Sequence, residues 1–252
     1  MFASMVRGMQ ERLQSESTKL IAAAIVTLAV AVAAFAQAGG AELKEKFAAL
    51  KQSAAANQQK LHKYQWTEIQ QVTYKGEQKP QQQFMCQYGP DGKVQKFPMG
   101  PQQQPSGGKL KQRMIQKKKE EMDQYMGQVK SLLAAYVPPN PAKMQQAAQA
   151  GKVALSRDAG AGMLNFTFTD YVQPGDKMVV AFDPTAKKIA NLNINTYMGQ
   201  EKDAVTLMVD FSSLPDGTNY AEKTTLDVAA KQIVVTTINT NYHLSGASGQ
   251  GQ

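Results

Sequence analysis

The 252-residue sequence predicts an α+β fold: a curved antiparallel sheet, half-barrel-like with about eight strands, carrying an N-terminal helix and a mid-chain helical pair on its concave face. Three observations predict it. Residues 163–243 alternate apolar and polar side chains at period two over most of their length, the pattern of strands with one buried face. Residues 109–136 repeat apolar side chains at three- and four-residue steps, the period of a helix. The alternating segments are joined by short turns, which makes neighbouring strands antiparallel. A twisted sheet of this width tends to curl, and its hollow side is where helices bury their apolar stripes.

Ahead of the domain, residues 1–36 read as an export signal. Arg7, Arg12 and Lys19 precede the uncharged run 20–36 (LIAAAIVTLAVAVAAFA), which ends in Ala34-Phe35-Ala36, small residues where a signal peptidase reads. Cleavage is expected before Gln37, with Ala36-Gln37-Ala38 as a second frame. An uncleaved N-terminal inner-membrane anchor is the alternative, because 17 apolar residues sit at the lower edge of a bilayer-spanning length. Either way the positive flank stays inside and the remainder is translocated, to a periplasmic or otherwise exported location. The domain is expected over 37–244, with 245–252 (SGASGQGQ) as an unstructured tail.

Within the domain, Leu43, Phe47, Leu50 and Ala54 share one helical face in 41–62. Residues 64–74 (YQWTEIQQVTY) are aromatic and β-branched and predict a strand. A turn at 76–80, a strand at 81–88, a turn at Gly89-Pro90-Asp91-Gly92 and a strand at 93–97 complete a meander. Residues 98–108 (PMGPQQQPSGG) lack periodicity and predict a loop. The helix over 109–136 stops before Pro138 and Pro139, and a short helix follows from Asn140-Pro141 to Gly151. Further strands are expected over 163–171, 177–183, 189–198, 204–211, 221–228 and 232–243, with 183–188 (DPTAKK) as a hairpin turn.

Cys86 is the single cysteine, so no intramolecular disulfide forms; its alternation with Phe84 and Tyr88 suits a small core residue. His62 and His243 lack Cys or His partners at ligand spacing, so neither predicts a metal site. No G-x-S-x-G, H-E-x-x-H or phosphate-cradling glycine loop occurs, and the sequence predicts neither an enzyme nor a cofactor.

The order of these elements resembles the periplasmic lipoprotein-carrier superfamily typified by LolA and LolB. The likeness is carried by the signal, by the helix with Phe47 and Leu50 leading into Tyr64-Gln65-Trp66, by the mid-chain helices, and by the C-terminal run from Lys188-Ile189-Ala190-Asn191-Leu192 to Leu214-Pro215-Asp216-Gly217. The resemblance implies an incomplete barrel with a helical lid around a hydrophobic cavity for acyl chains. The carrier's lid-holding arginine on an early strand has no counterpart, since Arg113 and Arg157 are the only arginines after residue 36.

Ten of the 13 methionines lie after residue 36. Their flexible thioethers suit a cavity that fits varied apolar shapes, and they equally suit an ordinary core. The expected lipid-cavity residues are Trp66, Phe84, Met114, Met122, Met126, Phe166, Phe168 and Met178. Net charge is +8, of which residues 1–36 hold +1. Lys109, Lys111, Arg113, Lys117, Lys118 and Lys119 form the densest basic patch, suited to an anionic membrane surface or simply to a solvated helix face. The expected partner is a lipid or lipoprotein acyl chain, with no nucleic acid, and the chain is expected to be monomeric. A protein-interaction or scaffold module with a filled core is the alternative.

Overall fold

A computed structural model describes residues 56–100, 109–137, 140, 143, 146–147, 149–158, 160 and 162–245, with side chains in the long helix from residue 120 onward. The export segment, most of the expected first helix, the 101–108 loop and the tail beyond 245 lie outside these residues.

Eleven strands form one sheet: β1 (Tyr64–Tyr74), β2 (Glu77–Gln78), β3 (Gln82–Tyr88), β4 (Val94–Met99), β5 (Val153–Arg157), β6 (Leu164–Thr169), β7 (Lys177–Asp183), β8 (Lys188–Tyr197), β9 (Ala204–Ser213), β10 (Asn219–Val228) and β11 (Ile233–Leu244). The helix α1 (Lys109–Leu133) lies between β4 and β5 in the chain. The strand order is β4-β3-β1-β11-β10-β9-β8-β7-β6-β5, with β2 paired to β1, and every described pairing is antiparallel. The sheet stays open, with β4 and β5 at its two edges.

The α+β expectation holds, but about eight strands becomes eleven. The sequence reading took β2 into a turn, and its two residues are held only by pairing with Thr73 and Tyr74. It gave β5 no place of its own, because VALSR is short, mostly exposed and lacks a clear alternation. β4 runs through Pro98 and Met99, the first two residues of the expected loop. Conversely α1 ends at Leu133 rather than Tyr136: Tyr136 and Val137 donate back to the Leu133 carbonyl at 3.0 Å, tightening the last turn before the prolines.

The edges are treated differently. Gly89 N–H donates to the Lys93 carbonyl at 2.8 Å, and this phase points the backbone of residues 94, 96 and 98 away from β3. Pro98 has no N–H to offer there, which blunts β4 as a template for another strand. In β5 the Asp158 N–H to Met163 carbonyl bond sets the phase, so Val153, Leu155 and Arg157 present their backbones outward. That edge carries no proline.

Left-handed residues turn the hairpins. Gly92 at φ 73° and Gly175 at φ 79° occupy a region costly for side chains with a Cβ. The 3₁₀ turn Ala229–Lys231 between β10 and β11 closes on Gln232, also left-handed.

Candidate functional site

One face of the sheet is buried and is termed inward here. Antiparallel partners that sit directly opposite share a face, so the register converts into rows of side chains running across the strands. The first row is Val72, Val235, Leu226, Leu207, Ile194, Met178, Phe168 and Val153, each directly paired with the next. It is apolar from end to end.

The adjacent row, two residues along each strand, is different. It begins with Gln82, Gln70, Thr237 and Thr224, and continues with Val209, Leu192, Val180, Phe166 and Leu155. The polar half is under cover, with Gln70 at 0%, Thr224 at 5% and Thr237 at 8% exposure. The apolar half is buried as far as Phe166 and emerges at Leu155, which is 52% exposed.

Beside the polar half, Glu68 and Asn239 face each other on β1 and β11. Glu68 is completely buried and accepts from Lys96 Nζ at 2.6 Å, an ion pair reaching from the β4 edge into the inward face. Asn239 accepts from Trp66 Nε1 at 3.1 Å and donates to the Ala221 carbonyl at 2.9 Å. Glu68, Gln70, Thr224, Thr237 and Asn239 thus form a polar belt over β1, β11 and β10.

Beyond the belt lies an aromatic end. Trp66, Phe84 and Cys86 form a separate buried cluster with Tyr88, Val94 and Tyr242 against it. Trp66 stacks on Tyr242 at 5.5 Å and 11°, and Tyr220 packs on Tyr242 at 4.5 Å. His62, on the solvent side, lies 4.3 Å from the Tyr88 ring. Burial pushes the Cys86 thiol up to about 12, with the Glu68 carboxylate adding to the shift, and burial alone pushes Tyr88 to about 12. Cys86 at 0% exposure is a core thiol held protonated.

Helices close the inward face at both ends. Lys231 Nζ sits over the Tyr125 ring at 4.6 Å, and Tyr136 donates to Asp176 Oδ2 at 2.5 Å, so α1 and its last turn cross from the β10–β11 hairpin to the β6–β7 connection. Asp176 is 2% exposed and also accepts from the backbone N–H groups of Tyr171, Val172 and Gln173 at 2.6–2.8 Å. Its buried charge is therefore held by four donors, and Thr196 Oγ1 shares the Tyr136 hydroxyl at 2.7 Å. At the opposite end, residues 56–61 are helical; Asn57 Nδ2 donates to the Asn219 carbonyl at 2.7 Å, and Leu61 is buried.

Of the residues expected from sequence, Met122, Met126, Phe166, Phe168 and Met178 meet in the main core cluster. Trp66 and Phe84 do not join them but occupy the aromatic cluster across the belt. Met114 and the basic residues Lys109, Lys111, Arg113, Lys117, Lys118 and Lys119 have side chains outside the described residues. Sequence reasoning missed the belt and the Asp176 hub. The strand expected over 64–74 carried no assignment of Glu68 and Gln70 to a buried face, and Asp176 fell between two expected strands with no role.

Among the described residues no three His, Cys, Asp or Glu side chains are grouped to hold a metal ion, and no helix is long and apolar enough to cross a membrane. No protein-family model and no curated protein matches the chain. Solved structures it is similar to include a DUF1329 family protein from Desulfovibrio piger, at TM-score 0.36 and 8% identity over 77% of this chain and 92% of that one. A domain from Vibrio parahaemolyticus assigned to outer membrane lipoprotein sorting gives 0.34 and 8% over 78% and 92%. A LolA superfamily protein from Nitrosomonas europaea gives 0.32 and 7% over 76% and 93%.

Proposed function

We propose that the chain is an exported cell-envelope protein that binds an acyl chain or similar amphiphile, without covalent chemistry, between the inward face of the sheet and its helices. In this reading residues 1–36 direct export, 37–244 form one monomeric binding domain, and 245–252 trail from it. The observation that carries the reading is Leu155. Its register with Phe166 puts it on the inward face, yet it is 52% exposed on the open edge strand β5, so the apolar interior reaches solvent there. The methionines of α1, Met122 and Met126, supply a cover that re-packs around different shapes. Each Å² of apolar surface withdrawn from water contributes about 25 cal/mol, so a guest chain is held by burial.

Native mass spectrometry of the purified protein tests this, together with uptake of a fluorescent fatty acid. The expected result is a co-purified lipid or stoichiometric uptake; apoprotein alone with no uptake overturns the reading. A second reading is favoured by the opposite face. Met85 and Phe97 are direct partners there, 37% and 43% exposed, with Ile238 at 38% two strands away. A scaffold module would dock a protein on that surface, and crosslinking in cells would then capture one defined protein whether or not lipid is present.

A further inference from the structure

We infer that the mixed row seats a long-chain amphiphile whose polar group is uncharged, an ester, amide or hydroxyl, with that group at Thr224 and the chain running toward Leu155. The inference rests on the binding reading above and names the ligand class. The row changes character once, between Thr224 on β10 and Val209 on β9, which are direct partners. On one side lie hydrogen-bonding side chains, on the other only hydrocarbon and a phenyl ring. From Thr224 to Leu155 the row crosses five strand spacings, about 24 Å, the reach of an extended long-chain acyl group.

A second observation points to a missing polar partner. Thr224 Oγ1 is buried and makes no hydrogen bond, although it faces inward at the very position where the row changes. A buried hydroxyl left unsatisfied costs about 1–3 kcal/mol, which a ligand hydroxyl or carbonyl bonded to it would relieve. The charge of the belt selects the head group. Glu68 is neutralised by Lys96 at 2.6 Å, and the remaining belt residues are amides and hydroxyls. A carboxylate head would have to leave water for a site with no net positive charge among the described residues, whereas an ester or alcohol loses far less. The chain leaves at the β5 edge, where Leu155 is exposed.

The test uses the full chain and three probes: diphenylhexatriene, which has no polar group, and monoolein and oleate as competitors at pH 8. Monoolein is expected to displace the fluorophore at lower concentration than oleate. Thr224→Val, which keeps shape and strand propensity, is expected to weaken monoolein five- to tenfold, leave diphenylhexatriene binding unchanged and leave the melting temperature equal or higher. Unchanged monoolein affinity in Thr224→Val, or oleate binding as tightly as monoolein, overturns the head-group assignment while the binding reading stands. Absence of binding by both diphenylhexatriene and monoolein overturns the two together.

Discussion

Two neighbouring rows of the same sheet, built from the same strands, differ in what they contain. The row from Val72 to Val153 is apolar throughout and, apart from its last member, nearly free of solvent. The row beside it places Gln70, Thr237 and Thr224 under equal cover and then turns apolar. Burial of a polar group costs stability unless it is bonded, and in this row Thr224 Oγ1 is buried without a hydrogen bond. The contrast separates a wholly apolar row from one whose polar half would, under the binding proposal, meet the guest's polar group.

The sharpest way to break the contrast is to unpair the belt. Lys96→Met removes the ammonium that pairs with Glu68 at 0% exposure and is expected to cost about 3–5 kcal/mol in urea denaturation. The double variant Glu68→Leu/Lys96→Met should recover most of that loss. A loss in the single variant below about 1 kcal/mol would mean that the pair is solvated and the belt is no interior feature. On the apolar row, Met178→Ala removes a side chain at 0% exposure and is expected to cost about 2–5 kcal/mol with no compensating partner change.

Smaller effects sharpen the account of how α1 is held. Tyr136→Phe deletes the hydroxyl shared by Asp176 and Thr196, and a loss of about 1.5–3 kcal/mol is expected for a bond to a buried carboxylate. A neutral outcome by thermal melting would show that the three backbone donors suffice for Asp176. The smallest is an alkaline slope. Burial raises Cys86 from 9.0, and Tyr88 and Tyr171 from 10.0, each to about 12. The folded state therefore keeps protons that the unfolded chain releases, so this stability is complete below about pH 9 and is lost as pH rises toward 12. For a group as buried as Cys86 the slope approaches about 1.4 kcal/mol per pH unit. Stability flat between pH 9 and 11 would contradict it, as would rapid reaction of Cys86 with a disulfide reagent at pH 8 in the folded protein.

Much of the sheet was legible because β6 to β11 alternate cleanly: Leu164, Phe166 and Phe168 on β6 face inward as their spacing requires. β1 was ambiguous in a physical sense. Trp66 and Val72 favour one parity and Ile69 the other, and only pairing with β11 settles that Glu68 and Gln70 go inside with Trp66. Nothing local marks a glutamate as buried when its counter-ion, Lys96, lies 28 residues away on another strand. β5 was missed because an edge strand with one covered neighbour needs little hydrophobic signal. The division of the aromatic residues from the methionines is likewise a matter of register, since Trp66 and Phe168 stand six strands apart in the sheet order.

The claim that a guest lies along the mixed row is tested most directly by a monoacylglycerol carrying a photoreactive diazirine at the end of its chain. After irradiation and digestion, adducts should map to the β5 and β6 peptides around Leu155 and Phe166 and be suppressed by excess monoolein. Adducts confined to Met85 and Phe97 on the outer face, or adducts that monoolein does not compete away, would contradict the account.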